Sequence, residues 1–288
     1  MTRAAPRYAV FGHPIAHSLS PRLHALFAAQ TGIALEYIAI DAAPDEFEHA
    51  VRAFFARGGG ANVTLPHKAS AFALADERTR SARRLGVANL LTKLPDGRIE
   101  ADSNDGAGML ADLANCGVDP RGRSVLLLGA GGAARAAAFA LLDAGAASLT
   151  VANRTPERAR DLVDALQADR WAAVTDWNGL ADGATHDLII NATSAGVRHA
   201  QLALPASLAT SGTVAYDLSY GPAANPFVDW AKRVGCASAF DGLGMLVETA
   251  AASFERWHGV RPDTKAVLPG LLDASRHPPA AAHPLRKG

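Results

Sequence analysis

The chain has 288 residues, enough for one large domain or two of ordinary size, and its 28 basic residues are matched by 28 acidic ones. A net charge of zero excludes a surface built to attract nucleic acid or anionic lipid. Cys116 and Cys236 lack metal-ligand spacing and cannot form a disulfide framework, no apolar run is long enough to span a bilayer, and no signal peptide precedes the first strand, so a soluble protein of the reducing cytoplasm is expected.

Arg7 to Phe11 predicts a first strand, followed by the polar loop Gly12–Pro21, whose Ser20 (as N-cap) and Pro21 open a helix that runs to about Gln30. A strand over Leu35–Ile40, a helix over Asp45–Arg57 and a strand over Gly60–Leu65 come next. Lys68 stands just beyond that strand, near the start of another helix. Arg78–Leu85 is expected to be helical, and Ala88–Lys93 and Arg98–Ser103 to pair across an Asp96-Gly97 turn. Strands alternating with helices make this an α/β part. Asn104-Asp105-Gly106 then introduces a helix to Asn115, with Asp105 at or beside its N-cap.

Ser124–Leu128 carries apolar residues without alternation, as in a parallel strand buried on both faces. It runs into Gly129-Ala130-Gly131-Gly132-Ala133-Ala134, in which Gly129, Gly131 and Ala134 hold the G-x-G-x-x-A spacing of a dinucleotide turn. The three positions make the tight turn, let backbone approach a pyrophosphate, and let the following helix (Ala133–Leu142) pack close. That helix presents free N–H groups and a positive dipole end to phosphates. The next strand, Ser148–Ala152, ends at Asn153-Arg154-Thr155. An NAD site would place an acid there for the ribose hydroxyls; here Arg154, with Arg158 a turn behind, suits a 2′-phosphate, which favours NADP. Thr155 and Pro156 also read as the N-cap and first residue of the following helix, a reading compatible with the first. Strands near Ala172, over Asp187–Asn191, Thr213–Leu218 and Cys236–Phe240, complete a doubly wound unit of roughly 105–240. Helices over Asp241–Trp257 and Thr264–Leu272 follow, and the Pro- and Ala-rich tail 276–288 is expected to be disordered.

Three polar segments of the first part end at strand termini: His17–Ser20, Asn62–Lys68 and Asn104–Gly106. Their hydroxyls, amides, one ammonium and one carboxylate suit a small polyhydroxylated acid. On the residues alone, Lys68 is as readily a surface lysine as a proton carrier, and Asp105 as readily a helix cap.

Gly12-x-Pro14-Ile15-Ala16-His17-Ser18-x-Ser20-Pro21, Asn62-Val63-Thr64-x-Pro66-x-Lys68, Asp105-Gly106-x-Gly108, the Gly129–Ala134 turn, Asn153-Arg154-Thr155, Tyr216-Asp217-x-x-Tyr220 and Asp241-Gly242-x-Gly244-Met245-Leu246-Val247 resemble the shikimate dehydrogenase family, in order from about residue 8 to 272. The resemblance implies NADPH-dependent reduction of 3-dehydroshikimate to shikimate in aromatic amino-acid biosynthesis. It implies an N-terminal α/β substrate domain (1–104 plus 241–275, the last helices returning to it) and a Rossmann-type NADP-binding domain (105–240), in a monomer or homodimer. Lys68 and Asp105 become the catalytic pair; Ser18, Ser20, Asn62, Thr64, Asn89, Tyr220 and Thr249 the substrate contacts. Gly129 to Ala133, Asn153, Arg154, Thr155, Arg158, Thr193, Leu218, Gly242 and Met245 become the cofactor contacts, with no metal. The chain departs from the family at Ser103-Asn104 (usually Asn-Thr), Leu90 (usually Thr) and Thr249 (usually Gln). These departures leave quinate or another cyclic hydroxy acid, or a non-catalytic NADP(H)-binding sensor, as alternatives.

Overall fold

The structure is a computed structural model describing residues 5–168, 170–196 and 203–276, so the tail from 277 onward lies outside the described residues. It divides into two compact units, one formed by residues up to Asn104 and from Ala250 onward, the other by Asp105–Thr249.

The first unit opens with β1 (Arg7–Gly12), α1 (Ser20–Thr31), β2 (Glu36–Asp41), α2 (Phe47–Phe55), β3 (Gly58–Val63) and α3 (Lys68–Leu74). It continues with β4 (Glu77–Arg78), α4 (Arg80–Leu85), β5 (Leu90–Lys93) and β6 (Ile99–Asp102). The sheet order is β2-β1-β3-β5-β6-β4. β1 runs parallel to both neighbours, while β5 is antiparallel to β3 and β6. Alternation along β1 shows why it is central. Ala9 and Phe11 enter a core with Phe47, Val51, Phe55 and Val63, whereas Tyr8 and Val10 face Ile15 and Tyr37 on the other side.

Helix starts are where the sequence reading shifts. Ser20 is the first helical residue, not the cap; the preceding Leu19 offers no side-chain bond, and Ser18 Oγ accepts from Ser20 N–H at 3.3 Å. The helix expected from Arg78 starts at Arg80 behind Thr79, whose Oγ1 accepts from Ala82 N–H at 3.2 Å, because Arg78 pairs instead with Ala101 of β6. The helix expected over Asp45–Arg57 is trimmed to Phe47–Phe55.

The second unit begins with α5 (Asp105–Asn115) and continues through β7 (Ser124–Leu128), α6 (Gly132–Asp143), β8 (Ser148–Ala152), α7 (Pro156–Leu166), β9 (Ala172–Thr175), β10 (Leu188–Asn191), β11 (Val214–Asp217), α8 (Asn225–Val234) and β12 (Ser238–Phe240). Its six strands are all parallel in the order β12-β11-β10-β7-β8-β9. From β7 the chain winds outward to β9, then returns to β10 on the opposite side. The doubly wound Rossmann arrangement follows, with its switch point between β7 and β10, where such sheets hold a dinucleotide. Val125 to Leu128 have no exposed surface, as a strand covered on both faces requires.

α9 (Leu243–His258) and α10 (Thr264–Arg276) complete the described chain. The units divide inside α9, so residues 241–249, which the sequence reading groups with the first part, pack with the second. α10 runs four residues past the expected Leu272, to Arg276. Among the described residues no helix is long and apolar enough to cross a membrane.

Candidate active site

In the first unit the candidate substrate residues sit on loops tied to strand ends. The loop after β1 is fastened to the end of β2: Asp41 takes Ile15 N–H at 3.2 Å and lies 2.6 Å from His13 Nδ1, and this bond to His13 holds the Asp41 carboxyl below its usual range. A Cβ on Gly12 would collide with Ile15 and Thr64, so only glycine lets that loop press on the end of β3. Ser18 closes a turn onto Ile15 O, and Ser20 lies buried within hydrogen-bonding reach of the Tyr37 phenol.

Lys68 begins α3 directly after His67, whose ring is buried, stacks on Phe47 and donates Nε2–H to Ala42 O at 2.8 Å. Burial lowers the His67 pKa, keeping it neutral as that donor. Lys68 is half-buried, and its carbonyl accepts from Ala88 N–H at 2.9 Å, which seats it beside Asn89.

Three expected substrate residues share one polar network. Tyr37 Oη donates to Asn62 Oδ1 (2.8 Å) and Asn62 Nδ2 to Ser253 Oγ (2.8 Å). Asn104 Nδ2 also donates to Ser253 Oγ (3.1 Å), and Asn89 Nδ2 donates to Asn104 Oδ1 (2.7 Å). With Ser20 against Tyr37, the network joins Ser20, Asn62 and Asn89 through Tyr37, Asn104 and Ser253. Tyr37 and Ser253 carried no signal in the sequence: one reads as a strand aromatic, the other as a small residue on an apolar helix.

Beneath the network lies His24, fully buried and stacked at 4.0 Å on the Tyr37 ring, with Phe27, Phe254 and Trp257 around it. Burial drives its pKa down to about 3, with His258 adding to the drop and the Asn62 amide opposing it. An unfolded histidine takes up its proton near pH 6.5. Between that pH and about 3 the unfolded chain therefore holds a proton that the folded one refuses. Stability is full above this window and falls as the pH drops through it, by about 1.4 kcal/mol per unit. Unfolding free energies from urea titrations at pH 7 and pH 5 should differ by about 2 kcal/mol on this account, and His24→Phe should remove that difference.

In the second unit Asp105 opens α5 as a buried carboxylate. Lys68 belongs to the first unit and Asp105 to the second. Thr249 is buried against Gly108 of α5, where any Cβ would strike it.

The expected cofactor residues gather at the carboxyl ends of the parallel strands. Gly129 has φ +108° and packs on the backbone of Ala192 beyond β10, a conformation and a closeness that exclude a side chain. Gly131 caps α6 without a side-chain bond, and a Cβ there would meet nothing within 4 Å, so the helix N-terminus faces open space. Ala134 is fully buried. Past β8, Asn153 Nδ2 donates to Thr155 O at 2.8 Å, and Thr155 caps α7 by position only, its hydroxyl making no capping bond. Arg154 and Arg158 are exposed and enter no ion pair among the described residues, whereas Arg160 pairs with Glu157 at 3.1 Å.

Asn191 at the end of β10 shapes the next loop. Its Oδ1 accepts from Thr193 N–H and Oγ1–H (3.1 and 2.8 Å), and its Nδ2 donates to Asp217 at 2.7 Å. Burial pushes the Asp217 carboxyl up to about 7, against the pull of the Ser219 N–H and Asn191 bonds. Leu218 N–H reaches Asn191 O, and Gly242 is pressed on Leu218 O. Tyr220 precedes Gly221, whose N–H is held by Asp241, while Met245 is buried in α9. These residues suit NADP: an uncapped helix end and a Cβ-free cradle for the pyrophosphate, and two uncommitted guanidinium groups, with no acid at the strand end, for a 2′-phosphate. Among the described residues no group of three or more His, Cys, Asp or Glu is placed to hold a metal.

Comparison with known proteins agrees along the chain. Residues 10–91 match the shikimate dehydrogenase substrate binding domain, 112–202 the shikimate / quinate 5-dehydrogenase model, and 242–269 the shikimate 5′-dehydrogenase C-terminal domain. The shikimate dehydrogenase (NADP(+)) of Stenotrophomonas maltophilia is 52% identical over 93% of this chain and 96% of its own length. The Ael1 enzyme of Pseudomonas putida superposes with TM-score 0.84 at 43% identity, covering 93% of this chain and 98% of that one. Shikimate 5-dehydrogenase of Thermus thermophilus, solved with NADP(H) and shikimate, gives 0.82 at 33% identity over 94% and 98%. Motifs, doubly wound sheet and relatives converge, and the chain belongs to the shikimate dehydrogenase family.

Proposed function

We propose that the protein is an NADP-dependent oxidoreductase that interconverts 3-dehydroshikimate and shikimate in the cytoplasm, as a step of aromatic amino-acid biosynthesis. The observation that carries this reading is the Ser20–Tyr37–Asn62–Ser253–Asn104–Asn89 network, a polar wall built for a small ring with several hydroxyls. The free thiols of Cys116 and Cys236 suit a reducing compartment, and the balanced charge suits a small-molecule partner rather than nucleic acid or membrane. A monomer or a homodimer would serve.

The Gly129–Ala133 turn, Asn153, Arg154, Thr155, Arg158, Thr193, Leu218, Gly242 and Met245 would hold NADP(H). When bound, the cofactor supplies or accepts the hydride. Ser18 and Ser20 would bind the acid's carboxylate; Asn62, Thr64, Asn89, Tyr220 and Thr249 would orient the ring. Lys68 Nζ gives its proton to the carbonyl oxygen as the carbon gains hydride, and regains one from water; in the reverse direction it takes the hydroxyl proton. Its positive charge also stabilises the alkoxide that develops. Asp105, a buried carboxylate, would accept a hydrogen bond from a ring hydroxyl.

The test is purified protein with NADP⁺ or NAD⁺ and shikimate or quinate, read as absorbance of the reduced nicotinamide. Turnover of shikimate with NADP⁺ is expected. Thr249 in place of the family's Gln, and the shikimate / quinate description of the matching model, favour quinate as the second reading. Preference for quinate would establish that reading, and NADPH binding without turnover of either acid would leave a sensor.

A further inference from the structure

The polar network of the first unit has backbone anchors that settle which way each amide faces. Asn104 N–H donates to Asn89 Oδ1 at 2.9 Å, so the other end of Asn89 must be the donor toward Asn104 Oδ1. Asn104 therefore turns its own NH2 to Ser253. Asn62 Nδ2 lies 3.4 Å from the main-chain carbonyl of Asn89, which only an N–H can satisfy, so it too faces Ser253 with its NH2 and takes the Tyr37 proton on Oδ1. The Ser253 oxygen, with no exposed surface, accepts from both amides.

We propose that Ser253 is a positioning residue that holds Asn62 and Asn104 in the orientation their main-chain anchors fix, and so keeps the hydrogen-bonding polarity of the substrate wall. Both N–H groups of Asn62 are consumed by the protein, on Ser253 and Asn89 O, and its oxygen holds one bond from Tyr37. The second lone pair on that oxygen, with the buried His24 ring beside it, is what Asn62 has left for a ligand. At this point the wall accepts rather than donates. It selects a ring carrying a hydroxyl able to give its proton there, and disfavours an analogue with a carbonyl or a bare carbon at that position, which leaves the lone pair unmet. The inference deepens the proposed function and rests on it.

Wild type, Ser253→Ala and Asn104→Asp should be compared for kcat, for KM toward shikimate and NADP⁺, and for thermal unfolding. Ser253→Ala removes the shared acceptor and leaves the Asn62 amide held only by its 3.4 Å contact to Asn89 O and the bond from Tyr37. Its KM for shikimate should rise about tenfold, with kcat within about twofold and KM for NADP⁺ unchanged. Asn104→Asp cannot donate to Ser253 and should raise the same KM; lying at a half-buried position, it keeps the test alive if the alanine variant fails to fold. An unchanged KM for shikimate in both variants would overturn the inference alone. So would a loss of kcat with both KM values rising together, the mark of general damage. A wild type inert toward both acids would instead bring down the proposed function and this inference with it.

Discussion

Lys68→Met should lower kcat for shikimate oxidation by about a thousandfold, because a positioned proton donor or acceptor contributes roughly 10²–10⁴ to such a step. The residue starts α3, and the preceding His67, wedged on Phe47 and bonded to Ala42 O, fixes where that helix begins. Methionine keeps the length and apolar stem of the side chain and removes only the ammonium. NADPH binding, followed by nicotinamide fluorescence, should be unaltered, and KM for shikimate should change little, since the charge is needed mainly where the alkoxide develops. Turnover within threefold of wild type would remove Lys68 from the chemistry.

Arg154→Ala should raise KM for NADP⁺ about thirtyfold and leave KM for NAD⁺ within twofold. A charge-assisted bond to phosphate is worth a factor of roughly ten to a hundred, and solvent screening at an exposed site keeps the value inside that range. Arg154→Ala/Arg158→Ala should go further and flatten the salt dependence of NADP⁺ binding. Equal effects on both cofactors would mean that the two guanidinium groups are merely solvated. The contrast with Arg160 is the structural reason for choosing this pair: Arg160 already spends its charge on Glu157.

What the sequence disclosed follows from how local each signal is. The uninterrupted apolar run of β7 can only be buried on both faces, and the glycines after it stand where a turn with φ +108° and an open helix end need them. The alternating elements and the arginine past β8 are equally short-range. Helix starts were less legible. Ser20-Pro21 and Thr155-Pro156 both look like cap and first turn, yet Ser18 serves the first helix and no side chain serves the second. Glu77-Arg78 became an edge strand because of a partner more than twenty positions away in β6, which no window around Arg78 contains. Ser253 and Tyr37 were invisible for the same reason: each is ordinary in its own element and acquires meaning only from Asn62, which lies 191 positions from one and 25 from the other.

The late arrival of α9 in the first unit bears on how the chain is synthesised. Tyr8, His24 and Tyr37 emerge from the ribosome well before the rings that cover them, since Phe254 and Trp257 follow only after the whole of the second unit. Between the two, the whole of the second unit leaves the exit tunnel and is free to fold. A nascent chain halted before Ala250 would carry a finished nucleotide-binding half behind an open aromatic surface. For that interval the amino-terminal half depends on translation reaching α9, or on a chaperone.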